Sequence, residues 1–141
     1  MLILDTDHLV EIDRGSTLGS AVLEKLDHSG EEVATTIISA EEQLRGWLAQ
    51  INRLPDAHRQ IDSYRRLQRR LDFFAAWHLL PWDADTADRF NSLRADRVRI
   101  GTMDLKIASI TLARDGTLLS RNLADFRKVP GLRVEDWLSL L

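Results

Sequence analysis

Met1-Leu2-Ile3-Leu4-Asp5-Thr6-Asp7 opens the chain, and the reading of these residues decides the fold. Leu2, Ile3 and Leu4 form an unbroken apolar run without the alternation of a half-exposed strand, so the segment reads as a parallel strand buried on both faces. Two carboxylates follow where that strand must end. In open α/β sheets, ligands bind in the crevice beyond the carboxyl ends of the strands, so position alone makes Asp5 a site candidate. What else reaches that crevice depends on where the other strands end.

Downstream, strand and helix signals alternate. His8 to Asp13 predicts a short helix capped by Asp7 and closed at Arg14-Gly15. Leu18, Val22 and Leu26 mark an amphipathic helix to about Asp27, broken by His28-Ser29-Gly30. Glu31 to Ile38 is β-branched and predicts the second buried strand. Ser39 then reads as an N-cap, with Glu42 completing a capping box and Ala40, Leu44, Trp47, Leu48 and Ile51 giving a helical stripe. Beyond Pro55 a longer helix is expected from about Asp56 to His78, with arginines on its outer face.

Leu79 to Trp82 predicts a third strand, with Asp83 past its end, and Ala84 to Val98 another helix that closes near Arg99-Ile100-Gly101. Thr102 is the expected cap of a helix that is apolar on nearly every side between Leu105 and Ala113, and hence deeply buried, with Asp104 in its first turn. Asp115-Gly116 turns the chain into a fourth strand at Thr117 to Ser120, and Arg121 to Phe126 is the loop beyond it. After Pro130-Gly131, residues Leu132 to Val134 suggest an edge strand and Glu135 to Leu141 a terminal helical turn. The expectation is one α/β domain over residues 1–141, a mainly parallel four- or five-stranded sheet with helices on both faces.

Bulk properties narrow the function classes. A chain of 141 residues with 44% hydrophobic content can bury one ordinary core. The formal net charge of −3 gives no global sign of a nucleic-acid binder, though local patches can override the average. With no Cys, any metal must be held by oxygen or histidine. The four histidines form no spaced ligand pair on one helix, which argues against zinc. No run approaches the roughly 20 apolar residues of a membrane span, and no signal peptide is evident, so a soluble cytoplasmic protein is expected.

Acids recur at equivalent places: Asp5 after the first strand, Glu42 in the first turn after the second, Asp104 opening a buried helix, and Asp125 after the fourth strand. Right-handed crossovers between parallel strands bring these ends to one rim of the sheet. Carboxylates packed there repel one another, and a hard divalent cation relieves that repulsion. Mg²⁺ or Mn²⁺, as one or two ions, is the expected occupant, and hydrolysis of a phosphodiester the chemistry it implies. Taken singly, each acid has a blander reading, because helix N-termini favour carboxylates as caps and through the macrodipole.

The motifs Leu4-Asp5-Thr6-Asp7, Ile38-Ser39 with Glu42-Gln43-Leu44-Arg45-Gly46, Gly101-Thr102-Met103-Asp104-Leu105-Lys106-Ile107-Ala108, and Leu119 to Phe126 resemble, in order and spacing, those of PIN-domain ribonucleases. The resemblance is greatest to VapC-type toxins of toxin–antitoxin pairs and spans essentially the whole chain. It implies a metal-dependent endoribonuclease, with Asp5, Glu42 and Asp104 as the catalytic acids that hold the metal, and Thr6, Asp7 and Ser39 in support. It also implies a cognate antitoxin partner, a homodimer, and cleavage leaving 3′-hydroxyl and 5′-phosphate ends. One departure stands out: Asn122 occupies a place where the family often has a fourth acid, while Asp125 fills a later one. An amide oxygen can coordinate Mg²⁺ but brings no charge. Asp7 stands where many relatives have Asn, and its charge can offset the neutral Asn122.

Arg45, Arg65, Arg66, Arg69 and Arg70 are candidates for a basic rim that steers RNA, against the alternative of a solvated helix face paired with Asp56, Asp62 and Asp72. Trp47 and Trp77 lie on apolar stripes and read as core or interface. Two competing functions remain open at this point. The run Asp5-Thr6-Asp7 also resembles the opening motif of haloacid-dehalogenase-like phosphatases, with Asp5 as nucleophile, although the downstream Lys and acidic pair are missing. A catalytically silent PIN-fold binding protein is the other.

Overall fold

Every strand of the sheet runs parallel. In the computed structural model, which describes residues 1–139, the strands are β1 (Leu2–Leu4), β2 (Val33–Thr36), β3 (Leu79–Leu80), β4 (Thr117–Leu119) and β5 (Arg133–Glu135), in the order β3-β2-β1-β4-β5. The helices are α1 (Thr6–Arg14), α2 (Thr17–Ser29), α3 (Ile37–Arg53), α4 (Ile61–Ala75), α5 (Ala84–Ala95), α6 (Thr102–Ala113) and the single turn α7 (Leu123–Phe126). β1 is central, pairing Leu4 with Thr35 of β2 on one side and with Leu119 of β4 on the other. Strand order therefore reverses at β1, which puts the ligand crevice at the ends of β1 and β4.

The unbroken apolar run of β1 has its physical cause in two cores. Leu2 and Leu4 pack on one face with Leu9, Val22, Leu26, Ala40 and Phe74, whereas Ile3 packs on the other with Leu105, Ile107, Leu118 and Phe126. Helices α1 to α4 thus cover one face and α5 to α7 the other. Among the described residues, no helix is long and apolar enough to cross a membrane.

Boundaries differ from the sequence reading where capping outweighs propensity. Ile37 and Ile38 belong to α3, not to β2, because the Thr36 side chain accepts from the Ser39 N–H and starts the helix three residues earlier. Ser39 is therefore not the N-cap. Likewise Asp5, not Asp7, caps α1, through the Thr6 N–H, and Gly101, not Thr102, holds the N-cap position of α6. α2 runs on to Ser29, because Gly30 at φ 69° makes the left-handed C-cap. α4 starts at Ile61 and stops at Ala75, since residues 55–60 form turns rather than helix, and β3 stops at Leu80 before Pro81. Residues 136–139 form no helical turn, and the last two residues of the predicted one lie outside those described.

Two backbone features bear on stability. α1 and α2 meet so closely that a Cβ on Gly19 would lie 2.1 Å from the Glu11 carbonyl oxygen. Gly19→Ala is expected to destabilise the protein by about 3 kcal/mol in urea unfolding, because backbone rather than a flexible side chain must give way. Arg97, following α5, has φ 60°, a left-handed conformation that favours glycine and costs an arginine on the order of 1 kcal/mol. Its N–H donates to the Arg94 carbonyl, and the next N–H, of Val98, to that of Leu93, closing the helix.

Candidate active site

The crevice is assembled by backbone register before any side chain is considered. The Asp5 N–H donates to the Leu119 carbonyl, and Thr35 Oγ1 donates to that of Leu4, so the ends of β1, β2 and β4 are level. Asp5 is consequently buried at the point where the strand order reverses. Its Oδ1 accepts from the Thr6 N–H at 2.8 Å and its Oδ2 from Ser120 Oγ at 2.7 Å. Ser120 also reaches Asp7 Oδ2 at 3.4 Å and receives the Asn122 N–H at 3.1 Å. This hydroxyl just past β4 ties the first strand's acids to the far side of the crevice, and nothing near it in sequence marks it, because the carboxylate it bonds is 115 positions away.

Asp7 is a satisfied carboxylate. It accepts from the Arg121 N–H at 2.9 Å and lies 2.6 Å from Nδ1 of His8, which is fully buried. The Trp137 N–H donates to His8 Nε2 at 3.2 Å, so the ring proton sits on Nδ1 and is given to Asp7. His8 is thus a connector between the crevice and the segment after β5.

Glu42 is the opposite case. It lies one turn into α3, and its Oε1 is buried with no hydrogen-bond partner. Burial first, then the Asp5 and Asp104 carboxylates, push its carboxyl up to about 7. Burial and then Asp7 push Asp5 up to about 6, against the opposing hydrogen bonds from Ser120 and Thr6. Asp104 is also raised, by burial and then by Asp125, while a bond from Asn122 works the other way. The three acids from β1, α3 and α6 therefore share one field. Asn122 Nδ2 bridges Asp104 Oδ2 at 3.1 Å and Asp125 Oδ2 at 3.2 Å, so its amide hydrogens face the acids. Asp125 is further engaged by Lys128 at 3.4 Å.

Hard oxygen donors that repel one another, one of them buried and unpartnered, suit a divalent cation such as Mg²⁺ or Mn²⁺. Among the described residues, no group of three acids or histidines is arranged to hold a metal ion as it stands, so the fit rests on donor chemistry and on the orphaned Glu42 oxygen.

Of the basic residues singled out by sequence, several are occupied. Arg45 pairs with Glu41, Arg66 with Asp62 at 3.0 Å, and Arg70 with Asp13 and Gln43. Arg65 and Arg69 have no ion pair among the described residues.

An all-parallel sheet with acids gathered at the reversal of strand order defines an α/β protein with an acidic ligand crevice. More particularly, the chain belongs to the PIN-domain family, whose model matches residues 2–132. It is 29% identical over 85 residues to the tRNA(fMet)-specific endonuclease VapC of Salmonella typhimurium, a match covering 57% of this chain and 64% of that protein. It is 24% identical over 137 residues to Ribonuclease VapC1 of Rickettsia felis, covering 94% and 93%. Among solved structures, DNA-bound VapBC from Salmonella typhimurium superposes with a TM-score of 0.75 at 21% identity, over 96% of this chain and 97% of that one. VapBC2 from Rickettsia felis, bound to a promoter DNA fragment, gives 0.74 at 24% identity, over 96% and 98%.

Proposed function

We propose that the protein is a divalent-metal-dependent endoribonuclease, the toxin of a toxin–antitoxin pair. The observation that supports the reading is that carboxylates from three separate elements act on one another, Asp5 and Asp104 raising the charge cost of Glu42, and Asp104 that of Asp5. The names of the relatives, VapC ribonucleases and VapBC complexes, point the same way.

Asp5, Glu42 and Asp104 would hold Mg²⁺ or Mn²⁺, with Asn122 and Asp125 at the margin. Such an ion polarises a phosphoryl oxygen, lowers the pKa of a water and offsets charge on the leaving oxygen. Ser120 and the Thr6 N–H fix the orientation of Asp5, leaving rotation of its carboxylate restricted. Glu42 Oε1, free of any partner, would be an oxygen that the ion can take up. Asp7, held by the His8 ring and the Arg121 N–H, orients the crevice wall rather than reacting.

Apolar side chains stand exposed on α3 and α4, namely Leu48, Ile61, Tyr64 and Leu71. These support a protein partner, an antitoxin or a second copy. Residence in the cytoplasm accords with such a role.

Purified protein given structured RNA with Mn²⁺ or Mg²⁺, beside a phosphomonoester substrate, tests the enzyme reading. RNA cleavage without monoester turnover is expected; monoester turnover alone would instead mark a phosphatase. The toxin role predicts growth arrest on induction in a bacterium, relieved by a small neighbouring gene product. No arrest would refute that role and leave the nuclease chemistry standing.

Asn122→Asp adds a charge beside Asp104 and Asp125. The expected result is a several-fold lower Mn²⁺ concentration at half-maximal activity; an unchanged midpoint would show that Asn122 lies outside the metal's reach.

A further inference from the structure

We propose that RNA backbone phosphates are gripped by Arg94, Arg97 and Arg99, in the cavity between the end of α5 and the start of α6. The proposal rests on the nuclease reading above and locates the strand that flanks the cleaved bond. The cavity measures about 690 Å³ and is lined by the three arginines, the Gly101-Thr102 start of α6, and Asp125. Asp125 shares Asn122 Nδ2 with Asp104, so two hydrogen bonds connect the cavity wall to the candidate metal site.

Charge singles out this place. A crevice of carboxylates repels a polyanion, and something basic beside it must hold the strand. Arg94, Arg97 and Arg99 are exposed, and none is ion-paired among the described residues; on α4, Arg66 and Arg70 are tied to Asp62 and Asp13, and the unpaired Arg65 and Arg69 do not line the cavity that Asp125 joins to the acids. Asp125, the acid in the cavity wall, is already engaged by Lys128 and Asn122. The first turn of α6 has no side-chain cap, which leaves N–H groups of its start free to meet an anion, while Asp104 in the same turn belongs to the acidic crevice. Guanidinium groups recognise phosphate through paired N–H donors, which suits three of them on a short segment to a phosphodiester chain.

The backbone fixes where these arginines stand. Arg97 takes the left-handed conformation that closes α5, its N–H bonded to the Arg94 carbonyl and that of Val98 to Leu93, so the turn that lines the cavity is held in place.

The test uses a fluorescein-labelled 20-nucleotide single-stranded RNA in Mg²⁺ buffer, bound to the Asp104→Asn protein so that the probe survives. Adding Arg94→Gln, Arg97→Gln and Arg99→Gln should weaken binding about 10-fold or more and flatten the slope of log affinity against log salt by about 2. Arg97→Gly alone should bind more weakly yet melt about 3 °C higher, which excludes unfolding as the cause. Parental affinity and salt slope in the triple variant would overturn the proposal. So would loss of affinity on Arg65→Gln with Arg69→Gln and not here, which would put the strand along α4. If the unsubstituted protein cleaves RNA and the triple variant cleaves and binds equally well, this proposal alone fails. If the unsubstituted protein neither binds nor cleaves RNA, the nuclease reading fails with it.

Discussion

Asp5→Asn is expected to lower RNA cleavage on the order of 10³-fold while making the metal-free protein more stable at pH 8. The two effects have one cause. The Asp5 carboxyl is pushed from 3.8 to about 6 by burial and by Asp7, so its ionised form is disfavoured in the folded protein. A group with a raised folded value contributes stability that is fully present below 3.8 and lost as pH rises through about 6. Asparagine keeps the shape and has no such loss, a gain on the order of 2 kcal/mol at pH 8 that disappears near pH 4. Urea unfolding in EDTA at both pH values measures it. A buried acid kept only for structure would give the reverse result, a less stable variant at pH 8.

Glu42→Gln should cost cleavage on the order of 10²-fold or more if the proposed metal site is right, because it takes the charge from an oxygen donor that has no other partner. Glu42 is raised from 4.5 to about 7 by burial, then by Asp5 and Asp104. In EDTA, the stability of the unsubstituted protein is therefore expected to fall as pH rises from about 4.5 through about 7, and the Gln variant should lose part of that fall. Mg²⁺ added at pH 8 should restore stability to the parent and do so far less for the variant. Equal restoration in both would remove Glu42 from the metal site.

The sheet was legible because burial on both faces leaves a plain mark: Leu2 to Leu4 needed no context to be read as a central parallel strand. The acids were legible for a related reason, since Asp5 lies at a strand end, Asp104 in the first turn of a helix and Glu42 in the second turn of another, where topology alone brings such positions together. The start of α3 was misplaced because Ile37 and Ile38 favour strands by propensity, whereas one hydrogen bond from Ser39 N–H to Thr36 decides for helix. The Asp5 and Asp7 caps were exchanged for a similar reason: either can cap α1, and only the level ends of β1 and β4 select Asp5. Ser120, His8 and the left-handed Arg97 carry no local pattern at all. Their roles come from residues more than a hundred positions away, or from a helix end whose geometry is set by packing.

The central claim is that residues 5, 42 and 104 make one divalent-cation site. Calorimetric titration of the purified protein with Mn²⁺ tests it most directly, in two buffers of different ionisation enthalpy. Binding should release protons near pH 6.5, because acids raised to about 6 and about 7 must give them up. Binding and proton release should both be lost in Asp104→Asn. Mn²⁺ binding of equal affinity in that variant, or no binding to the unsubstituted protein, would contradict the account.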